Sequence, residues 1–518
     1  MPNRLSVVSE RGRLIEWMDE IIGEGAMKTV YFSPDRKYVV QFLKQKPDEP
    51  SVQRLIEICV ATRDSLVTND LVGQYWEKLF CWPYDLIRFN GRVGLVAPAY
   101  DKTFFFAHGA GDEGRKLFLK GKEKNGKWFA TGWHRSKLDP RELGDFRTLL
   151  SVCLLLARGV RKMHLMGLAH SDLSYRNVLI DPSTGRAAII DVDGLVVPGR
   201  IPPQVQGTPD FIAPEVVKTA HLVGSARKEA NHLTDRYALA VLIYMYLLKR
   251  HPLRGRRNFG EAEEDESRQM GELALWVEDP DDRSNRPDPN DPSEKVENKR
   301  WLDVDALPYT SLGPFLAPLV AKAFTAGLRN PASRPRADEW EDALIRSVDL
   351  LARCENTACD QKWFVLNTQD RNDGNGPLPL KVQMCPFCRT NVAREVPFLN
   401  FYAYRRVDGT DKLLLDGRKL VLFDGQELML WHTSSNGDYA PSERLTDEMR
   451  RRVGVFQFHE GRWYLRNEKM ANLKVVDGNG SRSVPPGQTL NLTNDTQIQF
   501  DSLENLGRTG KVQIAKRA

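Results

Sequence analysis

Apolar and polar positions change rhythm several times along this chain. From residue 14 to about Val96, short β-like runs at Lys37–Leu43 and Arg92–Val96 flank one helical segment, Val52–Arg63, which predicts a strand-rich lobe. From Asp145 the period lengthens: Phe146, Leu149, Leu150, Leu154 and Val160 recur at helical spacing up to His164. A second apolar helix is predicted over Tyr237–Leu248. A β lobe followed by a helical lobe is an α+β arrangement. From Pro397 to the end alternation returns, in pairs such as Leu413/Leu415, Leu420/Leu422, Phe456/Phe458, Leu490/Leu492 and Ile498/Phe500. Turn signals separate these pairs, and the pattern predicts an all-β sandwich.

Two stretches break the first region, a basic, Gly-rich piece at 109–137 and a polar piece at 261–297, and both read as surface loops. At 518 residues the chain holds more than one folding unit, and 41% hydrophobic with 28% charged residues is a globular composition. A net charge of +5 demands no nucleic-acid partner. The first residues lack the apolar core of a leader, and no apolar run reads as long enough to cross a bilayer, so a cytoplasmic protein without membrane association is expected. Of seven cysteines, Cys59, Cys81 and Cys153 stand alone in apolar surroundings and read as core residues. Cys354, Cys359, Cys385 and Cys388 form two close pairs.

Candidate chemistry is concentrated in short motifs. Ile22–Tyr31 reads I-G-E-G-A-M-K-T-V-Y, where Gly23 and Gly25 let backbone amides approach phosphate oxygens and Val30 follows on the return run. Leu168–Asp181 reads L-A-H-S-D-L-S-Y-R-N-V-L-I-D. There Asp172 is placed to orient a substrate hydroxyl, and Asn177, five residues on, to hold a metal ion through its amide oxygen. A-A-I-I-D-V-D-G follows at Ala187–Gly194, and Asp191 ends that run as a second metal ligand. G-T-P-D-F-I-A-P-E at Gly207–Glu215, Asp235 at the head of the apolar helix and N-P-A-S-R-P at Asn330–Pro335 complete the series.

In this order and spacing, residues 14–350 resemble a Hanks-type Ser/Thr protein kinase, with an N-lobe at 14–97 and a C-lobe at 98–350. The resemblance implies a bilobal fold, ATP and Mg2+ as cosubstrate and cofactor, and auto- and trans-phosphorylation of protein Ser or Thr. It further implies that Glu215 pairs with Arg334, that Asp235 anchors the loop from beneath, that His170 supports it, that Thr208 hydrogen-bonds Asp172, and that Ala99 lies at the nucleotide.

Several positions depart from that pattern. Lys28 stands where a third glycine is usual, and aligning Y-V-V-Q-F-L at Tyr38–Leu43 with the family's strand puts Gln41 at the phosphate lysine, with Lys44 the nearest lysine. Either Lys44 serves through a register shift, or Gln41 faces the nucleotide and the charge passes to Lys28 or Lys44. Glu57 is the expected helix partner of whichever cation is used. Ser171 and Ser174 replace two basic residues, and Arg176 is placed to supply the missing charge, as in tyrosine kinases. Leu195–Gln206 holds no Ser, Thr or Tyr, and Asp193 takes the place of a loop glycine. These departures motivate a rival reading, a nucleotide-binding pseudokinase scaffold.

In the tail, the spacings of Cys354/Cys359 and Cys385/Cys388 predict a structural four-thiolate zinc ribbon over 351–395. Residues 397–518 resemble a forkhead-associated sandwich, which implies docking or phosphopeptide binding, although the family's Arg and Ser pair is not placed. The whole arrangement resembles bacterial kinases accompanied by a phosphatase and a von Willebrand factor A protein.

Overall fold

The first lobe, predicted from residue 14, is joined at its start by an earlier strand. β1 (Arg4–Val8) pairs antiparallel with β2 (Leu14–Met18) in the computed structural model, which describes residues 2–25, 27–67, 71–109, 118–198, 207–257, 260, 263–291, 298–366, 384–392, 396–433, 451–477, 480–500 and 508–514. The predicted runs then form one five-stranded antiparallel sheet. Its spatial order is β3 (Ile21–Glu24), β4 (Lys28–Phe32), β5 (Tyr38–Leu43), β7 (Arg92–Pro98) and β6 (Asp85–Phe89). Alternation gives this sheet two faces. Tyr31, Val40, Phe42, Ile87 and Val96 fill one, and the hairpin covers them with Ile15 and Trp17. Residues one place out of phase, including Lys28, Val30 and Gln41, take the other face.

α1 (Glu49–Ile56) starts at Asp48, whose carboxylate accepts the Ser51 N–H at 2.9 Å, with Pro50 in the first turn. It does not run on as the regular helix expected to Arg63. Residues Glu57–Thr62 are π-helical before a last turn at Arg63–Leu66, and the wider turn shifts the buried stripe. α2 (Leu71–Leu79) was not read from the sequence.

The helical lobe is organised by α3 (Phe146–Leu165) and α4 (His232–Leu248). Asn231 and Thr234 form a reciprocal cap at the start of α4, and every side chain from Tyr237 to Leu248 is buried, as in a helix at the centre of a core. The two polar stretches are not simple surface loops. Leu119, Lys124, Phe129, Ala130 and Arg135 are buried in the first, and Met270, Trp276, Val277, Glu278 and Asn285 in the second. Their apolar residues supply core contacts, and the buried Glu278 is neutralised by Arg250 at 2.8 Å. Residues 110–117, 261–262 and 292–297 lie outside the described set. Contrary to expectation, Tyr309–Arg329 is long and apolar enough by composition to span a bilayer. Its Leu312, Leu316, Val320, Ala323 and Phe324 are buried, recurring at the three- and four-residue spacing of one helix face.

Packing divides the chain into two units, residues 1–144, 151–304 and 321–338 in one and 145–150, 305–320 and 339–518 in the other. In the second, Leu351–Arg353 pairs with Trp363–Val365. A six-stranded and a four-stranded antiparallel sheet follow, their inner faces packed through Leu399, Leu420, Phe456, Leu465, Ile498 and Phe500 among others.

Candidate active site

The loop after α3 is held from below by one carboxylate. Asp235, in the first turn of α4, accepts the His170 N–H at 2.9 Å, and His164 Nε2 lies 3.1 Å from the same oxygen. His170 Nε2 faces the Ile190 carbonyl at 3.2 Å, which can only accept, so Nε2 carries the proton. Nδ1 is then free to accept the Asp172 N–H at 3.3 Å.

Asp172 is fixed from both sides. Its Oδ1 accepts the backbone N–H of Thr208 at 2.6 Å, and its Oδ2 accepts Asn177 Nδ2 at 3.0 Å. The same Nδ2 donates to the Asp172 carbonyl at 2.8 Å, which leaves the Asn177 amide oxygen as the atom for a cation. The Thr208 hydroxyl donates to Ser174 Oγ at 3.1 Å, so the tie to Asp172 runs through the Thr208 backbone while its side chain meets a second loop residue. Arg176 is exposed. Among the described residues no hydrogen bond or ion pair joins it to Asp172.

Asp191 enters from the strand Arg186–Ile189, and the Ile190 N–H donates to the Asn177 carbonyl at 3.0 Å, joining the two candidate metal ligands through their backbones. Asp191 has a left-handed backbone, φ 60°, which re-aims its side chain as the chain turns into Val192–Gly194. Two charged side chains meet here, Lys28, which the sequence offered as an alternative carrier of the phosphate charge, and Arg54, which it did not assign to the site. Lys28 Nζ donates to Asp191 Oδ1 at 2.8 Å and to Asp193 Oδ1 at 2.6 Å. Arg54, buried on α1, donates to the carbonyls of Asp193 at 3.2 Å and Leu195 at 3.0 Å. Burial works against the Lys28 ammonium, but the two carboxylates outweigh it and raise its pKa. Burial also works to raise the Asp191 pKa, and the Lys28 charge and hydrogen bond bring it below the usual carboxylate value.

The two lysine alternatives separate by register. Val30 lies opposite Gln41 and Lys28 opposite Leu43, so all four share a face. Gln41 therefore looks into the cleft. Lys44 continues the phase of Phe42 and pairs with Glu24 at 2.7 Å, so it does not take the phosphate position. Glu57 begins the π-helical turn, and Arg54, one turn earlier on α1, reaches the Asp191–Leu195 loop. Gly23 and Gly25 flank the turn before β4, where added Cβ atoms would sit 3.8 and 3.9 Å from their nearest neighbours. Nothing in the chain itself requires glycine at either position. The Ala99 N–H donates to the Lys37 carbonyl at 3.0 Å, at the end of β7. Leu179 and Ile190 lie beside the loop, with Cys81 and Tyr100 packed against them as an apolar wall.

Arg334 and Glu215 form two parallel bonds of 2.7 Å each. In the second unit the sulfurs of Cys354, Cys359, Cys385 and Cys388 all lie within 4.8 Å of one another. A tetrahedral zinc with Zn–S bonds of ~2.3 Å needs sulfur separations of ~3.8 Å. The Cys354–Cys388 and Cys359–Cys385 distances are 3.5 and 4.0 Å, so the four residues fit such an ion.

Residues 138–299 match the protein kinase domain. The matched stretch contains Asp172, Asn177, Asp191 and Thr208, the residues that converge in space, and the kinase domain implies ATP as phosphoryl donor with Mg2+. Among solved structures, a similar chain is the kinase domain of a Toxoplasma gondii specific rhoptry antigen. It is 17% identical, with 49% of this chain and 72% of that chain covered, and the TM-score is 0.33. None of the curated proteins compared with the chain is similar to it.

Proposed function

We propose that the first unit transfers the γ-phosphoryl group of ATP to Ser or Thr hydroxyls of proteins, its own chain included. One observation carries the reading. Asp172 is gripped by Asn177 on one carboxylate oxygen and by the Thr208 amide on the other, beside the open face of Asp191. In this reading Asp172 orients the hydroxyl and draws off its proton. Asn177 and Asp191 would hold Mg2+, which when bound offsets the phosphate charge. The unneeded glycines at 23 and 25 leave room for phosphate oxygens against the backbone. Thr208, tied to both Asp172 and Ser174, supports Ser/Thr specificity, since it fixes the segment next to the acceptor position.

The test compares wild type with Asp172→Ala, incubated with γ-labelled ATP and Mg2+. Label on the wild type and its loss by at least ~100-fold in the variant supports the reading. Equal label in both, or none in either, removes it. Gln41 on the cleft face favours a second reading, a nucleotide-binding scaffold without turnover, which predicts stabilisation by ATP with no label transferred. For the second unit we propose that the four cysteines hold a structural zinc ion and that the sandwich docks a protein. A partner phosphatase or von Willebrand factor A protein would enter there.

A further inference from the structure

We infer that Lys28, on the strand returning from the glycine turn, is the cation that contacts the phosphates, and that Asp193 is its fixed counter-charge. This rests on the kinase reading and goes beyond it. It names the residue that does what Gln41 cannot, and it explains three departures of the sequence together. A lysine stands where a third glycine is usual, a glutamine where the lysine is usual, and an aspartate where the loop glycine is usual. The first and third of these meet at 2.6 Å.

Placement, donors and support all point the same way. Lys28 shares the cleft face with Gln41, two residue pairs along the β4–β5 ladder, so its chain reaches the same space from the neighbouring strand. Its ammonium has three N–H donors, and among the described residues two are held by Asp191 and Asp193, which leaves one for a phosphate oxygen. A lysine already bonded to Asp191 sits beside the atoms that would carry the metal, so charge neutralisation and metal placement are served by one side chain. Asp193 is nine-tenths buried and held through its backbone carbonyl by Arg54, so the partner of Lys28 is anchored to α1 by a bond that does not involve Glu57. Lys44 is occupied by Glu24 on the other face.

The experiment measures binding of ATP with Mg2+, and separately of adenosine, to the full chain and to Lys28→Met, Lys28→Arg and Lys44→Met. Removing one charge-assisted phosphate contact in Lys28→Met weakens ATP binding by roughly 10- to 100-fold. Adenosine binding stays within about twofold, Lys28→Arg keeps most of the ATP affinity, and Lys44→Met stays near wild type. A merely structural Lys28 would weaken ATP and adenosine alike, and that result overturns the assignment. So does a Lys28→Met protein that binds ATP as wild type does, or a tenfold loss in Lys44→Met. A wild type that binds ATP yet transfers no label removes the kinase reading while leaving the Lys28 contact standing. A wild type that binds no ATP removes both.

Discussion

Replacing Arg334 by Met should uncouple the segment that holds Asp172. The Arg334 side chain is 1% exposed and makes four bonds, two of 2.7 Å to Glu215 and one of 2.9 Å to each of the Gly327 and Leu233 carbonyls. Methionine fills similar volume but donates nothing, so two carbonyls and a carboxylate lose their partner. Breaking a buried pair costs about 3–5 kcal/mol, and because the Glu215 side chain stays 24% exposed and can be rehydrated, about 3 kcal/mol is expected. Removing the orphan charge as well, in Arg334→Met with Glu215→Gln, should return about 1 kcal/mol. Glu215 closes the segment that begins at Gly207, so the Thr208 bond to Asp172 loosens with it and phosphoryl transfer falls further than stability alone accounts for. The assay is urea unfolding of the three proteins beside their labelling rates. A single variant that loses under about 1 kcal/mol, or a double variant less stable than the single, refutes the reasoning.

Other outcomes follow from named contacts. Asp193→Asn keeps the shape and removes the counter-charge of Lys28, so the Mg2+ concentration for half-maximal ATP binding should rise roughly tenfold; an unchanged Mg2+ titration counts against the pairing. Gly126→Ala places a Cβ 1.9 Å from the Tyr246 hydroxyl oxygen and should cost about 1–3 kcal/mol in urea unfolding, whereas neutral behaviour would mean that contact is looser than described. Burial lowers the His134 pKa from 6.5 to about 4, so the unfolded chain takes up a proton first and stability drops as pH falls from about 6.5 toward about 4. Thermal unfolding of His134→Phe should lack that part of the slope, and an identical pH profile would rule it out. Chelation should release about one zinc per chain and expose residues 351–366 and 384–392 to protease, and metal analysis finding no zinc in protein purified without chelator would end the zinc proposal.

What could be read in the sequence was local. Asp172 and Asn177 lie within one loop, so their spacing alone places the amide beside the carboxylate, and the apolar period gives α3 and α4 within a few residues. The strand Tyr38–Leu43 was legible for the same reason, and its alternation was enough to separate Gln41 from Lys44 once a cross-strand register existed. The Lys28–Asp193 contact was not, because it joins residues 165 positions apart through the pairing of β4 with β5 and the turn after Asp191. Arg54 was not read as a site residue because its contacts, with the carbonyls of Asp193 and Leu195, join residues about 140 positions apart. The polar stretches misled in another way: charge runs read as solvated faces, while Phe129 and Trp276, set among those charges, are the residues that pack.

The most direct measurement is a crystal structure of the full chain with Mg2+ and a non-hydrolysable ATP analogue. The account predicts the phosphates between the Gly23–Gly25 turn and Lys28 Nζ, with metal on the Asn177 amide oxygen and Asp191. An analogue bound elsewhere, or phosphates contacted by Lys44 while Lys28 remains turned away from them, would contradict it.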